Sequence, residues 1–344
     1  MVETGVLGAH EASSSRRLPW TQRFVEALPV APLWGGLALA AAQYLFIVAY
    51  KLLAGDSPRL LPDLVFALMV GYSPAASVYA RRAARGCLCD LRPALDVSEA
   101  RFAELVEEVN RWHVPWQRAF GVVAAIVSVI VVLNEPGVVG RYPPGHPVLL
   151  LWVWVNVAAI WLGTRTVAHE IMVSRRFARL GREHAVVDVL DQGPLRPFAR
   201  RGVQGALVPI LLISIFSLLF VSGSAGDAVP LTQVLVVAVS AVSLLIPVHG
   251  VHRRLAEQKR DRLARVADAV RQAQEPVLAA RPGEATAEAS HLHALLALRS
   301  QLEAAREWPW DVPTLVRFAL YVAIGLGSWL GGALVERIVD VALE

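Results

Sequence analysis

Charged side chains are scarce in this chain of 344 residues. Asp, Glu, Lys and Arg together make up 18% of it, whereas 55% of the residues are hydrophobic and the mean hydropathy is +0.48. An ordinary soluble domain carries about 25% charged residues, so the composition excludes that class. The apolar residues also occur in blocks, which is typical of a protein that crosses a membrane several times.

The apolar blocks predict an all-α, polytopic membrane protein with seven transmembrane helices. Each block reaches the roughly 17–25 residues that a helix needs to cross a bilayer. Their uninterrupted apolar runs lack the alternation of a membrane β-barrel, and lipid offers the backbone no other hydrogen-bond partner. The predicted spans are residues 32–53, 64–80, 115–133, 148–168, 203–221, 229–248 and 313–335.

Lysine is nearly absent, since Lys51 and Lys259 are the only two among 33 basic residues. A set dominated by arginine is typical of a GC-rich bacterial genome, which indicates the bacterial inner membrane. All the basic residues except Lys51, Arg59, Arg141 and Arg337 fall on one side of the predicted spans. Because basic loops stay in the cytoplasm, the N-terminus is predicted inside and the C-terminus outside.

The predicted organisation has four parts. Residues 1–31 are polar and form a cytoplasmic N-terminal segment, and residues 32–250 hold spans one to six. Residues 251–312 form a cytoplasmic antiparallel helical hairpin, and residues 313–344 hold span seven and a short outer tail. Further cytoplasmic helical loops are expected at residues 81–114 and 169–202.

Two of the cytoplasmic extensions have a readable helical pattern. In the first, Asp96 is the expected N-cap, with Glu99 three residues later as in a capping box. One face of that helix carries Phe102, Leu105, Val106 and Val109. In the hairpin, Pro282 and Gly283 predict the turn, and a seam of apolar residues at helical spacing predicts that the two arms pack together. The seam consists of Leu263, Val266, Val270, Ala273, Leu292, Leu295, Leu302 and Ala305.

Carboxylates and lysines are missing near the middle of every predicted span, which argues against transport coupled to protons or sodium. The polar residues that remain in the spans are candidate functional positions, because polar groups are costly in lipid. They include the amides Gln43, Asn156, Gln204 and Gln233, of which Gln43, Asn156 and Gln233 are the candidate positions.

Span seven differs from the others because glycine is concentrated in it. Small residues at this spacing let helices approach closely, so they predict either tight helix packing or a segment that borders a pore. The residues concerned are Gly325, Gly327, Ser328, Gly331 and Gly332.

Recognisable catalytic motifs are absent from the sequence. Cys87 and Cys89 are too few to bind zinc and are predicted to be loop thiols in the reducing cytoplasm. The sequence has no nucleophile elbow and no phosphate-binding glycine loop. Acidic residues interrupt the basic run at 253–265 and no stacking aromatics accompany it, so nucleic acid is not an expected partner.

A metal site is the one catalytic feature that the sequence still allows. Such a site would make the chain a metal-dependent intramembrane hydrolase. Four potential zinc ligands fall at the cytoplasmic ends of spans four and six. They are His169, Glu170, His249 and His252. An enzyme is nevertheless the less favoured interpretation, and no cofactor is expected.

Two known families are similar in layout. Seven helices with the N-terminus inside resemble the progestin and adipoQ receptor type of membrane hydrolase, which implies metal chemistry near the cytoplasmic face. That family has histidines in its last span, whereas residues 313–335 contain none, so no residues are carried over. Residues 285–335 are similar in layout to insect odorant and gustatory receptor channels, in which the segment before the last span anchors the subunits and the last span lines the pore.

Together these features predict an oligomeric channel-like or receptor-like protein that assembles through its cytoplasmic helices. The alternative is a non-transporting scaffold or sensor that binds anionic lipid, or a cytoplasmic protein through residues 251–310. The metal-dependent hydrolase is the third interpretation. In all three the lipid bilayer is the surrounding partner, and a homo-oligomer belongs to the first.

Overall fold

The computed structural model describes residues 20–110, 115–134, 140–143, 145–219, 228–279, 286–310, 313–323 and 327. About 87% of these residues are helical and none lies in a strand, which confirms the all-α prediction. An isolated antiparallel bridge joins Leu95 to Ala185.

Long helices make up most of the described chain. In chain order they are α1 (Trp20–Ala27), α2 (Pro32–Leu53), α3 (Leu60–Leu91), α4 (Glu99–Asn110), α5 (Pro115–Asn134), α6 (Pro147–Glu183), α7 (Arg196–Ser217), α8 (Ala228–Ala279), α9 (Thr286–Ala304) and α10 (Pro313–Ala323).

Four of the described helices are long and apolar enough to cross a membrane, fewer than the seven predicted. They lie at predicted spans one, two, four and five. They are Pro32–Leu53 (α2), Leu60–Ala94 (α3 with the 3-10 turn that follows it), Pro147–Glu183 (α6) and Gly193–Ser217 (α7 with the 3-10 turn that precedes it). At spans three and seven the described residues include shorter apolar helices, Arg118–Asn134 and Pro313–Ala323. Predicted span six forms the first part of α8.

Glycines allow the central helices to cross at close range. A Cβ atom on Gly71 of α3 would lie 2.2 Å from the carbonyl oxygen of Gly36 on α2. A Cβ on Gly250 of α8 would lie 1.8 Å from the carbonyl oxygen of Ala178 on α6. Since real Cβ atoms do not approach so closely, these backbone contacts require glycine.

One end of the bundle is rich in arginine and is called the basic end. It comprises the last turns of α3 and α6, the first turns of α7, and α4, which covers them around a shared apolar core. The predicted apolar face of α4 packs against that core, with Phe102, Leu105 and Val106 partly buried and Val109 buried. The helical pattern of residues 96–109 therefore predicted this contact correctly.

The predicted capping of α4 is wrong. The helix begins at Glu99, and the Ser98 hydroxyl accepts a hydrogen bond of 3.3 Å from the backbone N–H of Arg101. Asp96 instead lies beside the Leu95–Ala185 bridge, where its backbone N–H donates to the carbonyl of His184 at 2.9 Å. The helix thus begins two residues later than predicted, after the segment that pairs with Ala185.

The hairpin consists of the second half of α8 together with α9. Its seam contains Val266, Val270 and Leu302, all buried, packed with Leu263, Leu292, Leu295 and Ala305. The predicted turn at Pro282 and Gly283 lies outside the described residues. α8 itself is a single helix of 52 residues that enters the hairpin without a break.

At the opposite end of the bundle, the connection after α2 contacts the one before α6. The Tyr142 hydroxyl donates to Asp56 at 2.6 Å, and Arg141 lies 3.2 Å from the same carboxylate. Partial burial alone would raise the pKa of Asp56, but the Tyr142 hydrogen bond and the Arg141 charge together hold that pKa below its ordinary value.

Candidate functional site

A buried ion pair joins α6 to α7 near the basic end. Arg201 Nη2 donates to Glu170 Oε1 at 2.5 Å, and the two side chains are 0% and 1% exposed. Gly205 lies one turn after Arg201 on α7 and makes room for the carboxylate, since a Cβ there would lie 2.3 Å from Glu170 Oε1. The pair therefore depends on a glycine at residue 205.

The pair does not use all of its hydrogen-bonding capacity. Glu170 Oε2 and the Nε and Nη1 atoms of Arg201 are buried and have no hydrogen-bond partner among the described residues. Such atoms carry a desolvation penalty that the single ion pair only partly offsets. The pair thus specifies one arrangement of α6 against α7 and keeps the capacity to bind water or to exchange partners.

Buried hydroxyls extend this polar feature toward the middle of the bundle. Ser77 Oγ on α3 and Thr166 Oγ1 on α6 lie 3.1 Å apart, and Thr166 Oγ1 lies 3.2 Å from the carbonyl oxygen of Ser73. Thr166 is one helical turn before Glu170, and Ser73 precedes Pro74, which lies inside α3. Ser73, Ser77, Thr166, Glu170 and Arg201 are called the polar core.

A second buried ion pair lies at the opposite end. Lys51 Nζ, at the end of α2, lies 2.7 Å from both carboxylate oxygens of Asp63, at the start of α3. The backbone N–H of Arg59 donates to the same carboxylate at 3.0 Å, and the Trp152 ring centroid lies 5.2 Å from Lys51 Nζ. This contact joins two consecutive helices across their connecting loop and is structural in character.

The predicted intramembrane amides have different surroundings. Asn156 Oδ1 accepts a hydrogen bond of 3.1 Å from Ser128 and so joins α6 to α5. The Nε2 atom of Gln43 is buried and has no hydrogen-bond partner among the described residues. Gln233 belongs to α8, but its side chain lies outside the described part of the structure.

Most of the predicted small-residue face of span seven also lies outside the described residues, namely Gly325, Ser328, Gly331 and Gly332. Gly327 is described, and a Cβ added to it would meet no described atom within 4 Å. The helix-packing or pore-bordering role of this face stays a prediction.

The four predicted zinc ligands are not assembled into a metal site. Among the described residues, no three His, Cys, Asp or Glu side chains are grouped so that they could hold a metal ion. Glu170 is engaged by Arg201, and His252 Nδ1 lies 2.9 Å from the carbonyl oxygen of Glu307 with its ring stacked on Trp308. His169 is buried, whereas His249 is exposed to solvent.

The sequence interpretation missed Arg201 as an interior residue because it counted every arginine as part of a solvated basic loop. A local signal was nevertheless present, since Gly202 and Gly205 follow Arg201 on the helix and allow close approach of a neighbour. Cys87 and Cys89 were also misassigned to a loop, because both lie in the last turns of α3. Cys87 is buried and Cys89 is exposed.

No protein-family model, curated protein or solved structure matches this chain.

Proposed function

We propose that the chain is a multi-pass protein of the bacterial inner membrane with seven spans, the N-terminus and the basic end in the cytoplasm, and the C-terminus outside. The arginine-rich ends of α3, α6 and α7 support this orientation because they lie together. Arg200 on α7 pairs with Asp90 on α3, and Arg254 on α8 donates to the carbonyls of Arg182 and Glu183 at the end of α6. Such a cluster is expected on the cytoplasmic side.

Within that membrane, we infer that the protein is an oligomeric channel-like or receptor-like protein whose hairpin is its assembly region. The observation that carries this proposal is the continuity of α8. At 1.5 Å per residue its 52 residues extend over about 78 Å, which is more than twice the thickness of a bilayer core. A displacement of span six would therefore move the hairpin with it.

The return path connects the hairpin to span seven. After α9, Trp310 packs with Phe318 and Tyr321 of α10 against an apolar cluster on α7 and α8 that includes Ala206 and Leu244. The hairpin is thus connected at both ends to helices that pack on α7, namely the first part of α8 and α10. The polar core lies where α3, α6 and α7 meet, and its unused hydrogen-bonding groups leave it able to bind water or to exchange partners.

The hairpin also exposes apolar side chains away from the predicted spans. Leu278 at the end of α8 is 84% exposed, and Leu296 on α9 is 43% exposed. Both leucines lie outside the predicted spans, where an exposed apolar side chain is available for contact with another subunit. The proposed occupant of this surface is a second copy of the chain.

Measurement of the subunit number of the full chain in mild detergent, by native mass spectrometry, tests this function. We expect a symmetric oligomer for the natural protein and a monomer for the Leu278→Glu, Leu296→Glu double variant. Ala294→Glu is the matched control, since residue 294 is exposed on α9 on the other flank of the seam. It should leave the oligomer intact.

A scaffold or sensor is the second candidate, and the excess of arginine at the basic end favours it. A natural protein that is a stable monomer in the same measurement would exclude the oligomeric channel-like or receptor-like protein. It would favour the scaffold, which binds anionic lipid or a cytoplasmic protein through residues 251–310. The hydrolase is not proposed, because no three His, Cys, Asp or Glu side chains in the described part of the chain are grouped so that they could hold a metal ion.

A further inference from the structure

A groove with three arginines opens at the basic end, between α7 and α10. Its volume is about 350 Å³, which lies in the range of small-molecule sites. Arg196 and Arg200 line it from α7, Arg317 from α10, and Tyr79 of α3 and Tyr321 of α10 complete its walls. These residues and the cavity that they enclose are called the arginine groove.

The arginine groove carries an excess of positive charge. None of its described lining residues is an Asp or Glu. Arg200 pairs with Asp90 outside the groove, whereas Arg196 and Arg317 form no ion pair with any residue in the described part of the chain. Guanidinium groups bind phosphate through two parallel hydrogen bonds, and the Tyr79 and Tyr321 hydroxyls are further potential donors.

The surroundings of the groove are apolar. On α10, Leu315 and Leu320 flank Arg317 and are 47% and 54% exposed, and Leu211 on α7 is exposed as well. In the proposed orientation Leu211 and Leu320 lie deeper in the membrane than the arginines and face acyl chains, while the arginines lie at the depth of the cytoplasmic headgroups. Basic pockets between membrane helices on this side are suited to anionic lipid headgroups.

We propose that the arginine groove binds the phosphate headgroup of an anionic phospholipid, with the acyl chains lying along Leu211 and Leu320. This inference rests on the proposed membrane orientation. The binding test is made in detergent and does not depend on that orientation. A failure of the lipid proposal therefore does not contradict the orientation, and a wrong orientation does not decide the binding result.

The test measures equilibrium binding of short-chain phosphatidylglycerol, and of phosphatidylcholine with the same chains, to the delipidated full-length protein. We expect phosphatidylglycerol to bind at least about tenfold more tightly than phosphatidylcholine. In the Arg196→Gln, Arg317→Gln double variant, phosphatidylglycerol should bind about a hundredfold more weakly, or about tenfold for each charged hydrogen-bonding group removed.

Two further variants separate a specific site from general attraction. Arg260→Gln, Arg265→Gln removes the same charge from exposed positions on the hairpin and should leave phosphatidylglycerol binding unchanged. Arg196→Lys, Arg317→Lys keeps the charge without the bidentate geometry, so it should preserve lipid selectivity with reduced affinity. Circular dichroism and gel filtration check that every variant is folded.

Equal binding of phosphatidylglycerol by the groove variant and the hairpin control would overturn the proposal. A titration with inorganic phosphate distinguishes a lipid headgroup from a free phosphate ion as the ligand. If phosphate alone saturates the groove while phosphatidylglycerol and phosphatidylcholine bind equally, the ligand is a free anion and the lipid assignment is wrong.

Discussion

Replacement of Arg201 by methionine is expected to lower the free energy of unfolding by about 3–5 kcal/mol, because it leaves the Glu170 carboxylate buried without its partner. Arg200→Met is the matched control one residue away. Arg200 and Asp90 are each about half exposed, with side-chain exposures of 52% and 53%. Loss of such an exposed pair costs less than about 1 kcal/mol.

The double variant Glu170→Met, Arg201→Met should recover most of that loss, since a buried ion pair replaced by apolar residues of similar size is often neutral or even stabilising. Unfolding in SDS is followed by circular dichroism for the natural protein, the single variants Glu170→Met and Arg201→Met, and the double variant. The four free energies of unfolding give the coupling energy between the two residues. If Arg201→Met were no more destabilising than Arg200→Met, Glu170 and Arg201 would not form a buried pair.

Gly250→Ala is expected to destabilise the bundle by about 1–3 kcal/mol through overpacking, because the new Cβ would lie 1.8 Å from the carbonyl oxygen of Ala178. That contact is with backbone, so the whole of α8 must move away from α6. Gly86→Ala is the matched control on α3, where a Cβ would meet nothing within 4 Å. Lower backbone entropy in the unfolded chain should make that variant more stable by about 0.4–1 kcal/mol.

The two glycine variants therefore have expected effects of opposite sign. Thermal unfolding in the same detergent measures both effects, and Gly202→Ala provides a third point. A Cβ at residue 202 would lie 2.6 Å from the carbonyl oxygen of Leu244, so its effect should have the same sign as that of Gly250→Ala and a smaller size. A stabilising Gly250→Ala would show that α6 and α8 do not cross at this position.

Helical structure and the apolar faces were predictable because they depend on local patterns. The amphipathic spacing of Phe102, Leu105 and Val106 predicted the buried face of α4, and the spacing of Val266 and Val270 predicted the hairpin seam. Hydropathy likewise predicted the four helices that are long and apolar enough to cross a membrane. Neighbouring residues along the chain determine each of these features.

The polar core could not be predicted because its contacts are set by helix packing. Glu170 meets Arg201 only because Gly205 lets α7 approach α6, and no spacing rule connects residues 31 positions apart on different helices. The topology rule also worked against this contact, since it treats every arginine as solvated. His169 and Glu170 were assigned to a metal on the basis of residue type and of their position at the cytoplasmic end of span four.

Labelling of Cys89 with a membrane-impermeant maleimide tests the proposed orientation most directly. Cys89 is exposed at the basic end and Cys87, the only other cysteine, is buried. We therefore expect labelling in inverted inner-membrane vesicles and none in right-side-out spheroplasts, with Cys89→Ser abolishing the signal and Cys87→Ala retaining it. Labelling of Cys89 in intact spheroplasts would put the basic end outside the cell and contradict the account.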